Sequence, residues 1–243
     1  MIQLDFSSDF LEKDIKKLSV ITDADSFVYG LFDNRGTMVT RGHTDSAHIK
    51  EISLTWAARD CEIHFMSTSK AFSFSHETYV PTIQSKNILI DKWAESGIYC
   101  AYEESAILEN NVYYKHISTA WLQFASSKSD ANLWLHFKDK SVLIACSHQQ
   151  KFLFFNEFQI ETAEDVIYYV MAVIKEACNL TLEEVTVLLS GQITVNSSFY
   201  QLLYRYIPRL ETAAAAHFLT TSDVLGDHVY FDHFLNVNCY ANH

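Results

Sequence analysis

The segment Asn132–Phe158, NLWLHFKDKSVLIACSHQQKFLFFNEF, decides the fold. It reads as three strands, Asn132 to Phe137, Ser141 to Ser147 and Lys151 to Asn156, broken by polar turns at KDK and HQQ. Three strands with such short connections form a β-meander. An earlier stretch, Leu18–Gly42, LSVITDADSFVYGLFDNRGTMVTRG, follows the same plan, with strands over Leu18 to Thr22, Phe27 to Phe32 and Thr37 to Thr40 and turns at DADS and DNRG. The chain therefore reads as a duplication.

Downstream of the second meander, ETAEDVIYYVMAVIKEACNL has Thr162 and Asp165 at capping positions and Val166, Tyr169, Val170, Val173 and Ala177 at helical spacing. The strand VTVLLS follows, apolar at successive positions, as expected where a sheet is covered on both faces. In NSSFYQLLYRYI, residues Phe199, Leu202, Leu203, Tyr206 and Ile207 make one apolar helical face. The order βββ-α-β-α places the chain in the α/β class. In the first half, SAHIKEISLTWAARD is expected to be helix, CEIHFMS and AFSFSHETYVP strands, and Thr82 to Ala94 a helix. Polar SKSDAN sets a boundary near residue 128, giving subdomains 1–128 and 129–243.

With 49% apolar residues the chain can bury a full core. Its 30 acidic and 18 basic residues give a net charge of −12 and leave no basic stripe for a phosphate backbone, which excludes nucleic acid as an expected partner. The first segment lacks a basic stretch leading into an apolar run, and no run of about 18 apolar residues occurs. We therefore expect a cytoplasmic protein with no membrane insertion. Five cysteines without a CxxC pair argue against a disulfide framework or zinc cluster and read as buried thiols. Six glycines leave few places where bare backbone could cradle phosphate.

Two meanders, each followed by alternating helices and strands, resemble the duplicated ribonuclease-H-like fold of actin, Hsp70 and the sugar kinases. The run FNEFQIETAEDVIYYVMAVIKEACNL, then VTVLLSGQI and SFYQLLYRYI, with VYFDHFLNVNCYANH at the end, resembles a bacterial, Bacteroidetes-type family of degenerate actin-like proteins. Pilus-assembly and type II secretion scaffold proteins are more distant analogues. That resemblance implies a phosphate loop at the first turn of each meander and a glycine-rich adenosine motif after the later strand. At the first loop stand Asp23 and Asp25, at the second Asp139 between Lys138 and Lys140, neither with a glycine, and at the adenosine motif Gly191 is followed by Gln192. The expectation is a catalytically silent binding or scaffold module with a protein partner or self-association and no cofactor. The alternative is an ATP-binding switch or ATPase in which Asp23 or Asp25 directs magnesium, Lys138 or Lys140 meets phosphate and Gly191 packs on adenine, with Mg-ATP as its ligand.

Other constellations read as structural. Asp23 and Asp25 suit a solvated turn, and His228 and His233, five apart, match neither helical nor strand ligand spacing. Ser190 lacks the G-x-S-x-G setting of a hydrolase nucleophile. Rings in YY, FLFF and FYQLLYRY are expected in the core, with a few exposed to form a partner patch.

Overall fold

Each meander is completed by a parallel strand. The computed structural model describes residues 14–23, 26–68, 72–76, 88–93, 98–103, 112–213 and 227–238. Strands β1 (Ile15–Asp23), β2 (Ser26–Asp33) and β3 (Met38–Thr44) lead to helix α1 (Ser46–Ala57) and strand β4 (Glu62–Ser67). After β5 (Phe72–His76), β6 (Ile88–Trp93) and β7 (Ile98–Glu103) come β8 (Val112–His116) and α2 (Ile117–Ser126). The second repeat runs β9 (Asn132–Phe137), β10 (Ser141–His148), β11 (Lys151–Gln159), α3 (Ala163–Ala172), β12 (Thr186–Gly191), α4 (Ser198–Tyr206), β13 (Leu210–Thr212) and α5 (Phe231–Asn238). Two five-stranded sheets result, ordered β3-β2-β1-β4-β8 and β11-β10-β9-β12-β13. Their shared order, with β1·β4 and β9·β12 parallel, makes this a duplicated ribonuclease-H-like fold.

Among the described residues, one compact unit holds 14–120 and 233–238, and the other holds 121–213 and 227–232. In unit one the antiparallel sheet β5-β7-β6 lies in sequence between β4 and β8, where unit two has α4 between β12 and β13. This corrects the helix expected over 82–94: Ile88–Trp93 is a strand paired with β7, and the remainder lies outside the described residues. A short apolar run rich in isoleucine is ambiguous until its partner strand is known.

Local chemistry sets the element ends. Asp33 Oδ1 accepts from the Arg35 and Thr37 N–H groups at 2.9 and 2.8 Å, and Gly36 takes φ +77°, closing the β2–β3 turn. Thr162 and Asp165 form a reciprocal capping box on α3, and Asp45 and Ser197 cap α1 and α4. Helix α4 ends at Tyr206, and Ile207, already extended, takes the core position. Tyr206 is therefore exposed rather than part of the buried face expected of it.

Both large sheets bury two faces. In unit one Leu18, Val20, Leu31, Ile63 and Phe65 meet Ile49, Ile52 and Trp56 of α1. The opposite face receives α5: Phe234 packs edge-on to Phe32 at 5.6 Å, and Asn236 Nδ2 donates to Ser19 Oγ, Val20 O and His64 O at 2.9, 3.2 and 2.9 Å. Having accepted from Asn236, the Ser19 hydroxyl has its own proton to give to His233 Nδ1, 2.8 Å away. In unit two Leu133, Leu135, Val187 and Leu189 pack under Val166, Val170 and Leu203, while Trp134 faces Trp121 and Phe124. Asp91 ties β6 to the start of α2's approach, accepting from the His116 N–H at 2.7 Å and the Tyr102 hydroxyl at 3.3 Å. Burial holds its pKa above the usual carboxylate range.

His64, only 2% exposed, stacks on Tyr113. Burial first, and then the Lys17 charge, lowers its pKa from 6.5 to about 4. The unfolded chain thus takes up a proton that the folded chain refuses, so stability is whole above pH 6.5 and falls as pH drops towards 4. In urea titrations across this window, wild type should lose roughly 2–4 kcal/mol more than His64→Gln.

Candidate functional site

The residues that the resemblance points to lie at the carboxyl ends of two parallel strand pairs, one pair in each unit. In unit two, Gly191 closes β12 opposite Phe137 of β9. Its φ is +80°, and a Cβ there would stand 2.1 Å from the Phe137 carbonyl oxygen and 2.8 Å from its nitrogen. Only glycine tolerates both the left-handed backbone and that approach. Gln192 N–H then donates to the same carbonyl at 2.8 Å, so the strand end is fastened to the start of the meander turn.

The turn itself is closed by the Lys138 N–H on Ser141 O at 2.9 Å. Lys138 Nζ donates to Glu157 Oε2 at 2.8 Å, and Ser141 Oγ to Glu157 Oε1 at 2.6 Å. Glu157 reaches both from β11, across β10, and neutralises the lysine in a half-buried setting. Asp139 and Lys140 remain exposed at the tip.

Unit one is built differently. Asp23 ends β1 opposite Ser26, and Asp25 lies outside the described residues. The parallel strand β4 ends in Ser67 rather than glycine. Thr68 then turns back onto Thr22: its N–H donates to Thr22 Oγ1 at 2.7 Å and its hydroxyl to Thr22 O at 2.8 Å. Both hydrogen-bonding groups of Thr22 beside the turn are thus occupied by protein.

Beneath Gly191, His136 Nδ1 lies 3.0 Å from Ser190 Oγ, and His136 Nε2 lies 3.8 Å from Asp232 Oδ2. Serine, histidine and aspartate are the residue types of a nucleophilic triad, yet 3.8 Å is beyond hydrogen-bond reach and Ser190 is fully buried. The Ser190–His136 contact joins β12 to β9, and Asp232 of α5 lies near the far side of the same ring. Sequence reading singled out Ser190 but missed His136, Glu157 and Thr68, whose partners are remote in sequence. Of these, His136 alone has a sequence signal, a polar residue at an inward position of the apolar strand NLWLHF.

His228 Nε2 donates to Ile193 O at 2.9 Å, whereas His233 belongs to unit one beside Ser19, so the two rings serve separate cores. Among the described residues no group of three or more His, Cys, Asp or Glu is placed to hold a metal ion, and no helix is long and apolar enough to cross a membrane. On the surface of unit two, Tyr168 and Met171 of α3 and Tyr204 of α4 are exposed, with Tyr204 stacked on Tyr200. A groove of about 300 Å³ is lined by Tyr204, Tyr206, Ile207, Pro208 and Leu210.

The profile of DUF3822, described as a protein of unknown function, matches residues 63–210. No curated protein matches the chain. Among solved structures, one similar chain is a Bacteroides thetaiotaomicron protein with actin-like ATPase fold and unknown function, 15% identical at a TM-score of 0.63, covering 82% of this chain and 91% of that one. The PilM-PilN type IV pilus biogenesis complex contains another, 10% identical at 0.55, covering 92% and 98%. The ethanolamine utilization protein EutJ from Carboxydothermus hydrogenoformans is a third, 11% identical at 0.51, covering 90% and 88%. At such identities the likeness is one of fold, and the fold is the actin-like one.

Gly191→Ala should destabilise the chain by roughly 2–5 kcal/mol in urea unfolding, from left-handed strain plus overpacking. Asp139→Ala, exposed at the neighbouring tip, should stay within about 0.5 kcal/mol of wild type.

Proposed function

This chain belongs to the DUF3822 family of proteins of unknown function, and we propose that it is a catalytically silent actin-like protein that works as a protein-binding or scaffold module. The observation that carries this reading is Gly191. The resemblance gives that glycine an adenosine to face, but its open side lies against the Phe137 peptide. Its conformation is accounted for by the fold alone. Lys138 is neutralised by Glu157, and Thr68 fills the hydrogen-bonding positions of Thr22 in the other unit. On this reading the residues do not fit Mg-ATP, and no chemical step is assigned to it.

Binding through a surface is supported by the exposed Tyr168, Met171 and Tyr204 and by the groove that Tyr204 lines, since tyrosine and methionine concentrate at interface cores. A fold of this kind also occurs in the PilM-PilN complex. The net charge of −12 weighs against nucleic acid. Free thiols at Cys61, Cys100, Cys146 and Cys178 accord with a reducing, cytoplasmic setting.

The second reading, an ATP-binding switch, rests on the exposed Asp139 and Lys140 at the second turn. Thermal unfolding with and without millimolar Mg-ATP separates the two, because a ligand selective for the folded state raises its stability by RT ln(1 + [L]/Kd). We expect no change in Tm. A rise of several degrees that disappears in Asp139→Ala would replace the silent module with the switch.

A further inference from the structure

Helix α3 and the turn that extends it carry two rows of side chains. Val166, Val170, Val173 and Ile174 are buried in the core of unit two. Glu164, Tyr168, Met171 and Lys175 are exposed, and their spacing of four, three and four residues sets them in one row along the helix. The row runs past Ala172 because Val173–Ala177 continue the helix as a π-turn, closed by the Cys178 N–H on Val173 O at 3.0 Å. Glu164 thus stands in the first turn and Lys175 in the last. Between them Tyr168 is 69% exposed and Met171 46%. Neighbouring apolar side chains left in water and rimmed by charge mark an interaction surface.

The order of residues in this row is its own complement. Turning a second copy of α3 end for end, about the point midway between Tyr169 and Val170, exchanges Glu164 with Lys175 and Tyr168 with Met171. The half-buried residues Ile167 and Ala172 exchange as well, a large side chain against a small one. We propose that α3 is a self-association surface whose occupant is a second copy of this chain, α3 packed antiparallel on α3 across a two-fold axis. Such an interface is isologous, so each contact occurs twice. Glu164 of each copy pairs with Lys175 of the other at the ends, and Tyr168 of each meets Met171 of the other at the centre, where a thioether against an aromatic ring is favourable. The opposed helix dipoles agree with these charges, since an acid at each N-terminal turn meets a base at the other copy's C-terminal turn. Within one chain Lys175 reaches only its neighbour Glu176, at 3.5 Å and with side chains 81% and 73% exposed, a pair too solvated to hold the lysine there.

This inference rests on the reading of a protein-binding module and gives that module its partner. One helix pair makes a small interface, and each copy carries a net charge of −12, so the dimer is a weak one. The overall repulsion is screened beyond about 8 Å at physiological salt, whereas the ion pairs act in contact. Nucleotide takes no part in the pairing. A chain that stays monomeric would therefore end this proposal and leave the Mg-ATP result, on which the silent module stands or falls, unchanged.

The test is sedimentation velocity of the full chain in physiological salt from about 5 to about 500 µM, where a small interface associates. We expect the wild type to pass from monomer to dimer across that range. Glu164→Lys and Lys175→Glu, each alone, turn both ion pairs into like-charge contacts and should weaken the dimer at least about tenfold. Both substitutions in one chain restore the two pairs at the wild-type net charge, and mixing the two single variants restores them in a mixed dimer. Tyr168→Ala, at the centre, should also weaken association, which keeps the test decisive should a charge reversal unfold the chain. A wild type that remains monomeric throughout, a dimer that Glu164→Lys and Tyr168→Ala leave intact, or a folded double reversal that fails to restore pairing overturns the proposal.

Discussion

In unit two the backbone of Gly191 comes so near the Phe137 peptide that no side chain can stand between them. This contact closes the β9·β12 pair, and a parallel pair cannot be joined by a tight turn: its connection must cross over the sheet, here through β10, β11 and α3. The register that brings Gly191 to Phe137 also sets Ser190 beside His136 and points Leu189 and Val187 into the core under α3 and α4. A slip of one residue would exchange those two faces and put Ser190 among leucines. Geometry at one glycine therefore governs which polar groups meet.

Much of this architecture was legible in the chain. Turn residues such as Asp33 and Gly36 act on atoms a few positions away, so DNRG announces its hairpin, and Thr162 with Asp165 announces the start of α3 for the same reason. VTVLLS betrays two covered faces by its unbroken apolarity. What escaped was whatever depends on a distant partner. β6 needs β7 to be a strand, and Lys138 needs Glu157 to have its charge balanced. Gly191 shows the limit most clearly: its letter is equally consistent with a ligand and with a neighbouring peptide, and only the approach of Phe137 distinguishes them.

The two repeats also differ in how they handle polarity. Unit two places Ser190 and His136 on adjacent parallel strands, while unit one sends Asn236 and His233 from α5 to satisfy Ser19 and the carbonyls of Val20 and His64. Asp91 performs a third variant, using a protonation-prone carboxyl to hold the inserted sheet to β8. Buried polar groups of this kind contribute little net stability when paired and cost a good deal when orphaned. Their effect is to make alternative packings of the same apolar surfaces unfavourable.

Helix α5 gives the chain a particular history during synthesis. The bonds that Asn236 Nδ2 donates to Ser19 Oγ and Lys17 Nζ donates to Val237 O each span more than two hundred residues, between α5 and the first strand. On the ribosome the first sheet can pair its strands and settle under α1 long before its other face has a cover. Through the translation of the entire second repeat, Phe32 and the polar row at Ser19 and His64 wait for groups that have not yet emerged. Completion of the first unit's core is thus postponed until α5 has been made, and a nascent chain stalled short of α5 would carry an unfinished first unit.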